Sequence, residues 1–392
     1  MGKKLAVTGN QAVAEAMRQI NPDVCAAYPI TPSTEVMQRF AAFVADGKVK
    51  TELVTVESEH SAMSACIGAS AAGGRVMTAT SSQGLALMWE MLHIASGMRL
   101  PIVMPLVNRA LSAPINIHGD HSDGMGSRDC GWVQLYSENA QEAYDNLIQA
   151  IRIAEHDDVR LPAMVCMDGF IISHSIESME YLPDETVREF VGEFKPRNAL
   201  LDIEHPVTMG PLVLPDYFME FKRQQHEAML RVKDVVLQVA QEFEKISGRR
   251  YDLFEAYRLD DAELAMVILN SAAGTAKDVI DQYRDKGVKV GLLKPRLFRP
   301  FPYTEVAVAL SNAKVIAVLD RAESFGGFGP MYMEIASAMT TNGSRPLMIN
   351  KIYGLGGRDF MPEHAASVID EMVKIGETGR VELQKDYLGV RE

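Results

Sequence analysis

Cysteine is scarce in this sequence, and no two cysteines are close together. Cys25, Cys66, Cys130 and Cys166 are spread over the 392 residues, each in or beside an apolar run. Without a C-x-x-C pair, the chain lacks the spacing by which zinc sites and iron–sulfur clusters are usually assembled. We therefore expect four buried free thiols in a reducing cytoplasm, and no metal held by this chain.

Basic clusters and long apolar runs are also missing. The formal net charge is −13 and no basic stripe is present, which argues against nucleic acid or an anionic membrane surface as a partner. No apolar run approaches the roughly 20 residues of a membrane span. The start of the chain predicts a strand and a helix cap rather than a signal peptide, and Ala6 stands where a myristoylation motif at Gly2 needs Ser or Thr. We expect a cytoplasmic protein with no membrane partner.

What is present fits a globular α/β protein with more than one domain. The length exceeds one ordinary core, and 47% hydrophobic and 23% charged residues are typical of globular chains. Short β-branched runs alternate with helical apolar patterns in two blocks. Between the blocks, residues 178–197 are rich in charge and proline and are predicted to be irregular. We predict two doubly wound α/β domains at 1–190 and 256–392, and a linker at 191–255 that contains a long amphipathic helix over 217–246.

Polar motifs follow three predicted strands of the first domain. They are V-E-S-E-H-S-A-M-S-A at 56–65, T-A-T-S-S-Q-G-L-A-L at 78–87 and N-R-A-L-S-A-P-I-N-I-H-G-D-H-S-D at 108–123. Loops at the carboxyl ends of parallel strands build the ligand site of such sheets. An acid, several hydroxyl groups and an arginine with His and Asp residues are therefore expected around one crevice.

Three residues, two of them in these motifs and one in an earlier loop, are candidates for chemistry, each with a structural alternative. Glu59 falls in the first turn of a helix capped by Ser58, where dipole complementarity alone explains a carboxylate, although the small residues that follow would let a flat ligand approach. Arg109 directly follows an apolar strand, and either an anionic ligand or an internal ion pair would satisfy it. Thr31 lies between two prolines at 28–35, and its hydroxyl serves either a ligand or ordinary loop chemistry.

Other polar and glycine-rich motifs carry weaker signals. The polar stretch 78–84 precedes a helix predicted at 85–95. Either Ser81 or Ser82 caps this helix, or the stretch forms a pocket wall lined by hydroxyl and backbone N–H groups. The G-D-H-S-D run at 119–123 gathers two carboxylates and a histidine, but so short a loop rarely supplies a complete metal site. The glycine turns at 326–329 and 354–359 lack the G-x-G-x-x-G form, so tight packing or subunit contact suits them better than phosphate binding.

Four long motifs in order resemble one family. They are Y-P-I-T-P-S-T-E at 28–35, V-E-S-E-H-S-A-M-S-A at 56–65, T-S-S-Q-G-L-A-L-M at 80–88 and V-N-R-A-L-S-A-P-I-N-I-H-G-D-H-S-D at 107–123, with shorter matches as far as Y-G-L-G-G-R-D at 353–359. They look like the α subunit of the multi-subunit 2-oxoacid:ferredoxin oxidoreductases, most closely pyruvate:ferredoxin oxidoreductase (pyruvate synthase). The resemblance covers nearly the full length, and the ordered set is far more specific than any single motif.

The resemblance implies thiamine diphosphate held between two subunits, with this chain on the pyrimidine side. It also implies a first domain like the pyrimidine-binding domain of that cofactor and a second like the C-terminal domain of transketolase. Glu59 matches the glutamate at the pyrimidine ring nitrogen. Thr31 and Arg109 match the positions that hold the 2-oxoacid carboxylate. Further cofactor contacts are expected from Pro29, Ile30, Ser82 and Gln83, and further substrate contacts from Asp120 and His121.

The implied reaction is the reversible oxidative decarboxylation of pyruvate with coenzyme A to acetyl-CoA and CO2, with electrons passed to ferredoxin. The G-D-G diphosphate motif with its asparagine on Mg²⁺ is absent, as are cluster-binding cysteines. The resemblance therefore implies a β subunit with the diphosphate site, Mg²⁺ and a proximal [4Fe-4S] cluster, a γ subunit and a ferredoxin-like δ subunit.

Two alternatives stay open. Thr31 and the N-R-A-L-S-A-P-I-N-I run favour pyruvate over a branched-chain or aryl 2-oxoacid such as 2-oxoisovalerate or phenylglyoxylate. An alternative from a different class is a non-catalytic scaffold subunit.

Overall fold

Strands and helices alternate along the first half of the chain, as its β-branched and apolar runs predict. The structure is a computed structural model that describes residues 3–391, with the main chain only at Lys3, and Gly2 lies outside the described residues. The elements of this half are β1 (Lys3–Thr8), α1 (Gly9–Ile20), β2 (Val24–Ala27), α2 (Thr34–Ala45), β3 (Glu52–Thr55), α3 (Glu59–Ala71), β4 (Val76–Met77), α4 (Ser82–Leu87), α5 (Trp89–Gly97), β5 (Val103–Asn108), α6 (Ser122–Gly126), β6 (Val133–Tyr136), α7 (Ala140–Glu155), β7 (Ala163–Asp168), β8 (Ile176–Tyr181) and α8 (Asp184–Val191).

The second half begins with one long helix and continues with a second alternation of strands and helices. Its elements are α9 (Pro215–Ser247), β9 (Phe254–Tyr257), β10 (Leu264–Ile268), α10 (Ala272–Asp285), β11 (Val290–Pro295), β12 (Leu297–Arg299), α11 (Tyr303–Ala309), β13 (Val315–Asp320), α12 (Pro330–Thr341), β14 (Leu347–Ile352), a short 3-10 helix (Leu355–Gly357), α13 (Pro362–Thr378) and β15 (Lys385–Tyr387).

The first sheet is doubly wound. Its strands follow the order β12–β6–β7–β5–β4–β2–β3, and they are parallel except for β12, which pairs antiparallel with β6. Helices α1, α2 and α7 pack into one apolar core and α3 to α5 into another. Because β2, β3, β4, β5 and β7 run in one direction, the loops that follow them meet at one carboxyl edge.

The second sheet has the order β15–β14–β13–β10–β11–β9, with only β9 antiparallel among these strands. Helices α10 and α13 form a separate core on one face. Helices α11 and α12 pack on the other face, in the core that also contains α3 to α5. The two sheets therefore share apolar contacts, and β12 crosses from the second half into the first sheet. The predicted domain limits at 190 and 256 stay a prediction.

Two local predictions were wrong, although the α/β class and both doubly wound sheets are confirmed. The helix expected at 85–95 is broken at Met88 into α4 and α5. Residues 178–197, predicted to be irregular, contain the end of β8 and all of α8. In α8, Val187 and Phe190 are buried at a helical spacing, but the surrounding charged residues hide this short apolar stripe in the sequence.

The long amphipathic helix predicted over 217–246 is confirmed as α9. Val232, Val239 and Phe243 lie on its buried stripe, whereas Tyr217 and Phe218 near its start are exposed. None of the helices in the described part of the chain combines the length and the apolar character that a membrane span requires. The four cysteines are buried and free, as expected.

Candidate active site

Glu59 is the first residue of α3 and lies at the carboxyl edge of the first sheet. Ser58 begins the helix, and its side chain accepts a hydrogen bond from the Ser61 backbone N–H at 3.2 Å. The Glu59 side chain is only 6% exposed, yet within residues 3–391 its carboxylate makes no hydrogen bond and no ion pair. A buried polar group without a partner is costly. The position therefore suits a carboxylate that binds a ligand.

Gly84 borders the same space. A methyl group added to Gly84 would lie 2.4 Å from the Thr80 hydroxyl oxygen and 2.8 Å from Glu59 Oε1, too close for any side chain. The side chains of Thr80 and Ser81 are fully buried, and their hydroxyl groups have no partner in the described chain. Glycine at position 84 thus lets the Glu59 carboxylate and the Thr80 hydroxyl pack closely against α4.

Arg109 follows β5 and is brought against the Thr31 loop. Its side chain is 6% exposed, and it donates from Nε to the Asn116 carbonyl and from Nη1 to the Thr31 carbonyl, both at 2.9 Å. Burial lowers the pKa of this guanidinium, although the nearby Asp123 carboxylate opposes the shift. Within residues 3–391 no carboxylate forms an ion pair with Arg109. The internal ion pair that would have explained Arg109 is not found there, which leaves its charge available to an anion.

Asp123 links the loops that carry these groups. One oxygen of its buried carboxylate accepts hydrogen bonds from the backbone N–H groups of Ser82, at 2.9 Å, and Arg109, at 3.0 Å. The other accepts from the Asn108 side-chain amide at 2.8 Å and the Gly124 N–H at 2.7 Å. Burial raises the pKa of Asp123 to about 6 in spite of these donors. A single carboxylate therefore sets the spacing between the two loops.

Asp120 and His121 are buried, and they contact different halves of the chain. Asp120 accepts hydrogen bonds from the Ser122 N–H at 2.9 Å and the Gly356 N–H at 3.0 Å. The His121 ring lies with Nε2 2.8 Å from Asp168. These contacts order the loop, and direct substrate contact by either residue stays a prediction. The Gly356 contact also confirms tight packing for the glycine turn at 354–359.

Of the other predicted cofactor residues, Pro29 and Ile30 lie in the loop after β2, and Ser82 and Gln83 begin α4. Pro29 is exposed and Ile30 partly buried. Ser82 is buried, has a positive φ of 45° and donates to the Ala110 carbonyl at 2.5 Å. Gln83 donates to the Ser112 hydroxyl at 2.7 Å. A left-handed backbone at a non-glycine residue is uncommon and is held here by the Asp123 and Ala110 contacts.

The sequence reading missed Thr80 and the pair formed by Asp168 and Arg321. Thr80 lies inside the 78–87 motif, but nothing in that motif showed that its hydroxyl would be buried without a partner. Arg321 contacts Asp168 across more than a hundred residues of sequence, a distance at which sequence patterns carry no signal.

A doubly wound sheet with a buried acid at its carboxyl edge, and an arginine there that is unpaired within residues 3–391, has the features of a ligand-binding α/β protein. The chain belongs to the pyruvate flavodoxin/ferredoxin oxidoreductase family, whose thiamine-diphosphate-binding model matches residues 15–241. The core domain II model of pyruvate:ferredoxin oxidoreductase matches residues 262–365. The predicted family is therefore confirmed.

Relatives of known name agree with this assignment. The chain is 56% identical to the pyruvate synthase subunit PorA of Thermotoga maritima, over 100% of this chain and 99% of that protein. It is 44% identical to the ketoisovalerate oxidoreductase subunit VorA of Pyrococcus abyssi, over 98% and 97% of the two chains. A solved 2-oxoglutarate:ferredoxin oxidoreductase from Magnetococcus marinus superposes with a TM-score of 0.74 and 21% identity, over 95% of this chain and 66% of that one. This last likeness shows a shared fold.

Proposed function

We propose that the chain is the α subunit of a cytoplasmic pyruvate synthase complex. Pyruvate, coenzyme A and oxidised ferredoxin give acetyl-CoA, carbon dioxide and reduced ferredoxin, in a reversible reaction. The similarity to the Thermotoga maritima subunit over both full chains supports this activity. The structural observation that carries the proposal is the buried, unpartnered carboxylate of Glu59 at the same sheet edge as Arg109.

The groups around Glu59 fit the pyrimidine end of thiamine diphosphate. Glu59 offers a buried acid to a ring nitrogen, and Gly84 lets the free hydroxyl of Thr80 come close to the same carboxylate. When bound, thiamine diphosphate supplies the carbon nucleophile that adds to the ketone of the 2-oxoacid. Glu59 in this scheme holds the proton at the ring nitrogen and shares it with the pyrimidine. Pro29, Ile30, Ser82 and Gln83 border the cofactor, a finer assignment that we propose on the family resemblance.

Arg109 and Thr31 are proposed to hold the substrate carboxylate. Nη2 of Arg109 makes no hydrogen bond within residues 3–391, while Nε and Nη1 are anchored by carbonyl oxygens. The anchored guanidinium thus keeps Nη2 free for an anion, with no carboxylate of the described chain in direct contact. Thr31 is exposed, its carbonyl accepts a hydrogen bond from Arg109, and we propose that its hydroxyl adds a donor to the substrate carboxylate.

Pyruvate is proposed as the substrate, with 2-oxoisovalerate as the second candidate. The similarity to a PorA subunit is greater than that to a VorA subunit, over nearly the same share of the chain. Both substrates present the same carboxylate and ketone and differ only in the size of the apolar group. A comparison of kcat/KM for pyruvate, 2-oxoisovalerate and phenylglyoxylate separates them, and a preference for either larger acid rejects the pyruvate assignment.

The surface beside Glu59 is proposed to meet the subunit that carries the diphosphate, its Mg²⁺ and a proximal [4Fe-4S] cluster. His60 Nε2 lies 3.8 Å from Glu90 Oε2, which places the start of α5 beside the start of α3. Leu87 and Trp89 are about half exposed in this region, at 50% and 46%. Large apolar side chains grouped near an open site mark a protein interface. The γ and δ subunits and ferredoxin complete the proposed complex.

The test is reconstitution. We expect the chain alone to be inert with pyruvate, and the complex purified with its partner subunits to contain thiamine diphosphate and to reduce a viologen dye when pyruvate and coenzyme A are added. A complex that assembles but lacks the cofactor and the dye reduction would establish the scaffold alternative instead.

A further inference from the structure

The Thr80 hydroxyl is held at one position by the sheet. Its backbone N–H donates to the Pro105 carbonyl at 3.4 Å, and its carbonyl accepts from the Val107 N–H at 3.1 Å. Both contacts are to β5, so the main chain on either side of the side chain is anchored. The side chain is fully buried, and its hydroxyl has no partner in the described chain. A hydroxyl left in this state costs stability, and a functional role is one explanation for its retention.

A neighbouring threonine shows what an ordinary buried hydroxyl does here. Thr78, two residues earlier on the extended chain, donates to the Ala26 carbonyl of β2 at 2.7 Å. Side chains two residues apart on an extended chain point the same way. Because β2 ends at Ala27, Thr80 lies at the point where this strand stops. The acidic oxygen that borders the same space as the Thr80 hydroxyl belongs to Glu59.

We propose that Thr80 is a positioning residue for Glu59, whose hydroxyl donates to one carboxylate oxygen and leaves the other for the pyrimidine ring nitrogen. The inference rests on the proposed function. In the described chain, no donor reaches the acceptor oxygens of the Glu59 carboxylate, and the Thr80 hydroxyl finds no acceptor. Both oxygen atoms lie within 3 Å of the point where a Gly84 side chain would begin. A single hydrogen bond from the Thr80 hydroxyl to Glu59 would therefore satisfy two buried groups and fix the orientation of the carboxylate.

Three variants of the assembled complex test the role of the hydroxyl. Thr80→Val keeps the shape and removes the hydroxyl, Thr80→Ser keeps the hydroxyl, and Thr78→Val removes a buried hydroxyl that already has a partner. We expect Thr80→Val to weaken thiamine diphosphate binding, measured by calorimetry, about tenfold and to lower kcat at least tenfold. Thr80→Ser should stay within about threefold of the wild type. Thr78→Val should leave binding unchanged.

Thermal unfolding of the cofactor-stripped complex adds a readout that a purely structural role would not produce. Thr80→Val removes an unpartnered group, so its midpoint should equal or exceed that of the wild type, whereas Thr78→Val should lower it. In a Glu59→Ala background, adding Thr80→Val should change cofactor affinity less than threefold, because the acceptor is already gone.

The proposal is overturned if Thr80→Val binds the cofactor and turns over like the wild type. It is also overturned if the loss persists undiminished in the Glu59→Ala background, or if Thr80→Ser fails as badly as Thr80→Val. A wild-type complex that neither binds thiamine diphosphate nor reduces the dye with pyruvate refutes the proposed function instead.

Discussion

Nη1 of Arg321 lies 3.2 Å from the carboxylate of Asp168, and this buried pair joins the carboxyl edges of the two sheets. Asp168 ends β7 of the first sheet, and Arg321 directly follows β13 of the second. His121 and Ser271 contact the same carboxylate. Burial by itself raises the pKa of Asp168, but Arg321 and then His121 bring it well below its usual range. The second sheet thus helps to hold the loop that carries Arg109.

Arg321→Met should destabilise the protein strongly. Removing one partner of a buried pair leaves Asp168 without its main counter-charge, which typically costs about 3–5 kcal/mol. Thermal unfolding should show a clear drop in midpoint, and adding Asp168→Asn should recover part of it. Arg223→Met is the control, because Arg223 and Glu227 form an exposed pair of the kind that contributes roughly 0–1 kcal/mol. Equal effects of the two arginine variants would contradict a structural role for the buried pair.

Glu59→Gln should abolish turnover and leave assembly intact. General acid–base groups typically contribute about 10²–10⁴ in rate, and glutamine cannot exchange the proton. Because the change removes a buried, unpartnered carboxylate, the midpoint of thermal unfolding should not fall. Glu57→Gln is the matched control, since Glu57 is exposed two residues earlier. Normal dye reduction by Glu59→Gln would remove this residue from the mechanism.

Arg109→Ala should raise the KM for pyruvate. If the site is closed to water, the lost charge-assisted contacts correspond to about 2–4 kcal/mol of carboxylate binding. Arg109→Lys should restore only part of the affinity for pyruvate. A lysine ammonium group cannot donate to both carbonyl oxygens and also present a planar donor edge to an anion, as the guanidinium does. Steady-state kinetics check this, with Arg188→Ala at an exposed position as control. An unchanged KM in Arg109→Ala would assign the clamp to another residue.

The KM for pyruvate should rise as the pH falls through about 6, the pKa of Asp123. Protonation converts one acceptor oxygen into a donor, and that oxygen then faces either the Ser82 and Arg109 N–H groups or the Asn108 amide. The free energy of unfolding, in contrast, should increase as the pH falls through the same range. Since burial raises this pKa above the unfolded value of about 3.9, protonation stabilises the fold as the pH falls from about 6 to about 4, and this stabilisation is absent above about 6.

Asp123→Asn provides the comparison for this pH dependence. The amide presents a donor at every pH, so the variant should have a raised KM that no longer changes near pH 6. A wild-type KM that is flat through this range would show that the Asp123 contacts do not govern substrate binding.

Trp89→Glu should weaken association with the partner subunit. Trp89 is 46% exposed at the start of α5, and a charge at the centre of an apolar interface is costly to bury. Co-purification of the subunits measures the effect. Val308→Glu is the control, since Val308 is an exposed apolar residue of α11 and lies on neither α3 nor α5. Undiminished co-purification with Trp89→Glu would place the interface elsewhere.

Local sequence patterns determined the alternation of strands and helices and the loops that carry Glu59, Thr31 and Arg109. The reason is that side-chain periodicity is a short-range property, and parallel strands bring their following loops to one edge without further information. The family resemblance then supplied the roles of these residues, because ordered motifs survive in the sequence even where contacts are invisible.

Tertiary structure alone showed the contacts that these residues make within the chain. Whether Arg109 meets an acid of its own chain, which backbone N–H groups reach Asp123, and whether Thr80 finds a partner all depend on residues distant in sequence. Such contacts arise only when the loops are packed together, since a hydrogen bond is set by distance and direction between atoms and leaves no periodic trace along the chain. The pairing of β12 with β6 and the Asp168–Arg321 contact are likewise contacts between distant parts of the sequence that only the packed structure reveals.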